Sequence, residues 1–145
     1  MVLGGETVLK TLAILQENTV TTTKQQEIFD ARTAHKLNKE NCKIDWSKNG
    51  REIFNLIRGL SPYPAAWSVL KDGEKEWNIK IFEASCIESV HKYAIGKVIT
   101  TKNEIKIAVK DGFIELIVIQ FPGKKKMSSL ELLNGMTFSK DIHAC

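Results

Sequence analysis

Ser61-Pro62-Tyr63-Pro64 is the stretch on which the fold turns. Each proline restricts its own φ and pushes the residue before it toward extended conformations, so no helix runs through this corner. Before it, from Lys48 to Gly59, apolar residues recur with the helical period. Ile53, Phe54, Ile57 and Leu60 form one stripe, Ser47 stands in the N-cap position and Gly59 is placed to end the helix. After the corner the period becomes two. Ala65 to Lys71 and Lys75 to Ala84 read as strands around Asp72-Gly73, with Trp77, Ile79 and Ile81 alternating with Asn78 and Lys80. Ile95 to Thr100 and Glu104 to Lys110 read as a hairpin around Thr101-Lys102-Asn103. In it Ile105, Ile107 and Val109 face in, while Glu104, Lys106, Ala108 and Lys110 face out. A second Asp-Gly pair, Asp111-Gly112, leads into Phe113 to Phe121, a run apolar on both faces that predicts a strand covered on both sides. Ser128-Ser129-Leu130-Glu131 has the capping-box pattern and opens a short C-terminal helix over Leu130, Leu132 and Leu133, stopped by Gly135.

Five or so short strands with tight turns predict a mainly β (α+β) domain, a small antiparallel barrel or sandwich. The strand count fits a five-stranded open barrel of the oligonucleotide-binding type. Upstream, Val8, Leu9, Leu12, Ala13 and Leu15 line one side of an N-terminal helix from Glu6 to Glu17, which is marginal without tertiary partners. Asn18 to Asp45 has few apolar anchors and reads as an extended strap joining that helix to the main domain. At 145 residues and 43% hydrophobic, the chain has room for one core of roughly 100 residues plus such appendages.

The formal net charge of +4 is unevenly spread. Lys36, Lys39, Lys43, Lys48, Arg51 and Arg58 outnumber the acids in their segment, as do the eight lysines between Lys92 and Lys126. The remainder of the chain is acidic. Such asymmetry suits a polyanion better than uniform basicity would. The sharpest feature is Lys124-Lys125-Lys126, which must project from a loop between an apolar strand and a capped helix. A solvated turn is the competing reading. Lys36, Lys39 and Lys43 on the strap can follow a phosphate backbone, or merely keep a linker soluble. Arg58, near its helix C-terminus, either caps carbonyls or points toward phosphate. Trp46 and Trp67, beside basic residues, can stack on bases or pack at the junction of helix and corner.

No catalytic constellation is legible. His35, His91 and His143 are far apart in sequence with no ligand spacing, which predicts no metal site. Gly4-Gly5 stands alone without a phosphate loop, and there is no nucleophile elbow. Cys42, Cys86 and Cys145 are odd in number and widely spaced, so reduced thiols in a cytoplasmic protein are expected rather than a disulfide framework. As nucleophiles Cys42 and Cys86 compete with the plainer reading of partly buried thiols. The start has no signal-peptide pattern, and no apolar run is long enough to span a membrane.

Three motifs in order then carry a family resemblance. Lys36-Leu37-Asn38-Lys39-Glu40 with Ile44-Asp45-Trp46 resembles the linker and start of the carboxy-terminal domain of methionyl-tRNA formyltransferases. Arg58 to Trp67 resembles that family's Arg-x-x-x-Pro-x-Pro-x-x-Trp stretch, and Gln120 to Met127 followed by Leu132-Leu133-Asn134-Gly135 resembles its closing motif. His35 departs from the pattern, standing where the family often has proline, which predicts a looser strap. The resemblance implies residues 1–17 as the last helix of the formyltransferase domain, 18–45 as linker and 46–145 as the carboxy-terminal barrel. It also implies a piece of a longer enzyme that moves a formyl group from 10-formyltetrahydrofolate to the amino group of methionine on initiator tRNA. The family's catalytic Asn, His and Asp have no counterpart here, so no catalytic residue and no bound cofactor are expected of this chain. Its implied partners are initiator tRNA and its own amino-terminal catalytic domain, with no membrane. The resemblance assigns phosphate contacts to Lys36, Lys39, Lys43, Arg58, Lys124, Lys125 and Lys126. Competing readings are the carboxy-terminal domain of a formyltransferase acting on an amino-sugar nucleotide, that of one attached to a folate dehydrogenase, and a stand-alone protein–protein module.

Overall fold

A computed structural model describes residues 2–17, 19–24 and 34–145, which fall into two compact units, Met1–His35 and Lys36–Cys145. The first contains helix α1 (Val2–Gln16), starting four residues before the expected Glu6. Its Leu9, Leu12 and Leu15 are exposed. Of the strap expected over 18–45, residues 18 and 25–33 lie outside the described residues, and residues 36–45 fall in the second unit, where Cys42 and Ile44 are buried in the core.

The second unit opens its regular structure with helix α2 (Gly50–Leu60), which buries Ile53, Ile57 and Leu60. Its N-cap is Asn49 rather than the expected Ser47. Ser47 is engaged instead by Asp45, to which it donates both its hydroxyl (2.6 Å) and its amide (3.0 Å). The first free amide of the helix, on Gly50, donates to Asp111, 61 residues away (2.7 Å). That long-range bond satisfies a group a helix end leaves without an internal partner. Helix α2 also runs through Gly59 to Leu60. Ser61 ends it in an extended conformation, as a residue before proline must be.

Beyond the corner lie β1 (Ala66–Asp72), β2 (Lys75–Glu88), β3 (Val98–Thr100), β4 (Ile105–Val109), β5 (Gly112–Gln120), β6 (Met127–Ser128), helix α3 (Ser129–Gly135) and β7 (His143–Ala144). They form a seven-stranded antiparallel sheet in the order β3-β4-β5-β2-β1-β7, with β6 on β5. The two ends of this order meet. Strand β7 pairs with β1, and His143 also bridges Lys97 just before β3, which all but closes the sheet into a barrel. The expected open barrel with its helices is therefore what the chain forms. It has more strands than the five read from periodicity, because β6 and β7 are two residues long and carry no period.

Strand β2 is the spine. Its first half pairs with β1 and its second with β5, and Lys80 and Ile81 belong to both registers. Between Ile81 and Ala84 the register to β5 slips, a bulge that bends the strand and leaves Phe82 without a partner. Inside, Ala66, Ile79, Ile81, Ile107, Ile114 and Ile119 are fully buried. Strand β5 differs from expectation: one face is buried while Ile117 on the other is 37% exposed, so it is not covered on both sides. Ala108, read as outward, is fully buried. Its register partner Phe113 stacks against His91 and Tyr93, and these rings cover that part of the outer surface.

Closure rests on Gly96, whose amide donates to Ala108 (2.8 Å) and whose carbonyl accepts from Ala144 (2.8 Å). Its φ is +82°, and a Cβ there would stand 2.6 Å from the Ala144 carbonyl oxygen. Gly96→Ala is expected to lower stability by about 1–3 kcal/mol. In urea the unfolding midpoint should fall with an unchanged m value, and an unshifted midpoint would mean that closure does not depend on this contact.

Candidate nucleic-acid interface

Residues 36–43 are tied together among themselves and bonded to the barrel from Lys39 onward. Asn38 and Asn41 each accept the other's amide through their side chains (2.8 Å both ways), and the Asn41 side chain donates to the Lys36 carbonyl (2.9 Å). Trp67 then holds the segment from the sheet side. Its indole donates to the Lys39 carbonyl (2.6 Å), its amide to Cys42 (3.0 Å), and its carbonyl accepts from Ile44 (2.9 Å). The Lys39 and Lys43 ammonium groups consequently sit over the Trp67 ring, 5.3 and 5.7 Å from its centroid. Both are within cation–π range.

The two tryptophans weighed together in the sequence part company here. Trp46 is buried, its indole donating to the equally buried Ser68 hydroxyl (2.8 Å). Trp67 remains partly open and lines a cleft of about 640 Å³ with Tyr63, Lys39 and Lys80.

A second basic group forms beside the bulge of β2. Lys124, Lys125 and Lys126 are all exposed in the loop between β5 and β6. The Lys126 ammonium lies 3.6 Å from the centroid of Phe82, the bulge residue. Arg58, in the last turn of α2, lines a smaller cleft of about 460 Å³ that also contains Phe82. The loop is fixed at its base: the Gln120 side-chain Nε2 donates to the Lys124 carbonyl (2.9 Å), and the Lys124 backbone amide to the Phe121 carbonyl (3.1 Å).

Lys80 connects the two groups. It is opposite Trp67 in one register and opposite Gln120 in the other, and directly opposed residues of an antiparallel sheet share a face. The row Trp67, Lys80, Gln120 therefore runs from the strap lysines to the loop lysines across the outer surface. Sequence reasoning marked Lys80 as outward but gave it no role. Alternation supplies the face of a residue, not its neighbours on other strands. Tyr63 and Phe82 were missed for the same reason.

The His91 Nε2 faces the carbonyls of Val109 (2.7 Å) and Gly112 (2.9 Å), so it carries the proton, while Nδ1 accepts the Tyr93 amide (3.2 Å). Burial, aided by the charges of Asp111 and Glu88, pushes the Cys86 thiol up, which keeps it protonated at neutral pH. Among the described residues, no three or more His, Cys, Asp or Glu side chains are placed to share a metal ion. No helix there is long and apolar enough to cross a membrane.

Residues 36–137 match the family described as formyl transferase, C-terminal domain. The chain is 58% identical to the methionyl-tRNA formyltransferase of Flavobacterium johnsoniae, over 97% of this chain and 45% of that protein. It is 54% identical to the methionyl-tRNA formyltransferase of Flavobacterium psychrophilum, over 97% of this chain and 44% of that one. To the same enzyme of Bacteroides thetaiotaomicron it is 42% identical, over 96% and 45%. The chain thus spans a little under half the length of these relatives.

Helix α3 anchors the end of the lysine loop through the expected capping box. Glu131 accepts the Ser128 amide (2.7 Å) and hydroxyl (2.9 Å), and these bonds, the amide first, hold its carboxyl below the usual glutamate range. A carboxyl depressed in the folded state contributes stability that is complete above its unfolded value and lost as pH falls through the folded one. Glu131→Gln should therefore remove part of the acid sensitivity below about pH 4.3. Denaturant titrations from neutral pH downward check this, and an acid limb as steep as the parent's would contradict it.

Proposed function

Because this chain belongs to the formyl transferase C-terminal domain family, we propose that it is the tRNA-holding module of a methionyl-tRNA formyltransferase. The observation that carries the reading is the band of cations over one outer surface. Lys39 and Lys43 lie at Trp67, Lys80 opposite it, Lys126 and Arg58 at Phe82, with Lys124 and Lys125 exposed alongside. Lys36 lies at the start of the pinned strap.

The physical basis is electrostatic. Each lysine that neutralises a phosphate releases counterions, so affinity builds with the number of contacts and falls with salt. Contacts of this kind orient a nucleic acid without reading its bases. The long side chains stay in water while their backbone is held by the strap and loop hydrogen bonds, so the charges are positioned at little cost in burial. In a longer protein, formyl transfer from 10-formyltetrahydrofolate to the methionyl amino group of initiator tRNA would occur on the catalytic domain. This module would raise the local concentration of the tRNA there, as a tethered second site does. No catalytic role falls to the present residues, and the chain alone is expected to be inactive. A cytoplasmic setting, where initiator tRNA is charged and used, goes with this reading.

Replacing Lys124, Lys125 and Lys126 together by Ala should weaken binding of initiator tRNA and flatten the dependence of log K on log salt by up to about three. Fluorescence anisotropy at several salt concentrations reads both quantities. An unchanged affinity and slope would remove the loop from the interface.

A further inference from the structure

The cleft beside Trp67 has features that phosphate contact alone does not require. Tyr63 is 88% exposed at its mouth, an unusual setting for so large an aromatic side chain. Pro62 and Pro64 on either side restrict its backbone, so little ordering remains to be done when something packs against it. Trp67 is held through its indole, amide and carbonyl, which makes it a fixed platform. Among the described residues lining the cleft, the charged ones are Lys39 and Lys80, with no carboxylate. The volume of about 640 Å³ falls in the usual range for small-ligand sites.

These features select an occupant. An aliphatic guest would leave the ammonium groups without a role, and a simple anion would leave the exposed aromatic without one. A nucleotide uses both, through a flat π surface on one side and a phosphate on the other. Lys39 and Lys43 sit over the indole at 5.3 and 5.7 Å. A base arriving on that ring exchanges weak cation–π contacts for stacking and releases an ammonium to the flanking phosphate.

We propose that this cleft holds one unpaired nucleobase of a bound RNA strand, stacked on Tyr63 and Trp67, with its flanking phosphates at Lys39 and Lys80. The inference rests on the tRNA-holding function above and adds to it a base-dependent, sequence-tolerant contact.

The test compares two probes of equal length and charge, a short fluorescent oligouridylate and its abasic sugar–phosphate counterpart, binding to the 145-residue chain at low and moderate salt. The oligouridylate should bind about tenfold tighter, the size of one base–aromatic stack. Trp67→Leu and Tyr63→Ala should each bring it to the abasic level without altering the salt slope, whereas Lys80→Ala should flatten the slope for both probes. Trp67 is tied into the fold, so if its variant does not fold, Tyr63→Ala decides. Equal, salt-dependent affinity for both probes would overturn the base-stacking cleft while leaving the phosphate-holding role intact. Failure of both probes to bind at low salt would overturn both readings.

Discussion

Strand β2 serves two partners at once, and the rest of the second unit depends on that. Lys80 and Ile81 are the residues shared by its registers with β1 and β5. On the inner side this aligns Ala66, Ile81 and Ile119, all fully buried, at the centre of the core. On the outer side it aligns Trp67, Lys80 and Gln120. One register constraint therefore builds both the core and the basic surface, because alternation along a strand assigns successive residues to opposite faces. The bulge that follows lets the strand bend to finish the barrel and turns Phe82 toward the loop lysines.

Closing the barrel is a separate matter, handled by residues with almost no secondary-structure propensity of their own. The carboxy-terminal His143–Ala144 pair bridges β1 and the Gly96–Lys97 segment, and Cys145 exchanges two backbone hydrogen bonds with Val69. The buried Ser68 hydroxyl beneath this closure accepts from Trp46 and donates toward the Cys145 carbonyl (3.1 Å). Among the described residues, no buried side-chain polar atom is left without a partner. A satisfied polar group at the seam costs little and specifies which strands meet there.

The strap and loop segments that carry the interface lysines are held by hydrogen bonds to their backbone. The strap lysines inherit their position from the Asn38–Asn41 clamp and from Trp67, and the loop lysines from Gln120 and the α3 cap. Among the described residues, the ion pairs are Lys71–Glu76 and Lys106–Glu104, and neither involves a lysine of the strap or of the loop.

The local sequence determined the elements: the helix before the proline corner, the two hairpins, the capping box at Ser128 and the exposure of three consecutive lysines. Each follows from the φ preferences of a few neighbours and from where apolar residues recur, and both are written in the chain. The motifs around Arg58–Trp67 and Gln120–Met127 likewise named the family without any coordinates. Contacts between residues far apart were decided only in three dimensions. Asp111 caps α2 from 61 residues away, a two-residue strand closes the barrel, Trp46 is buried where Trp67 is not, and Lys80 joins two lysine groups. Periodicity tells a side chain which face it occupies. Which other strand supplies its neighbour depends on register and closure, and those are properties of the assembled sheet.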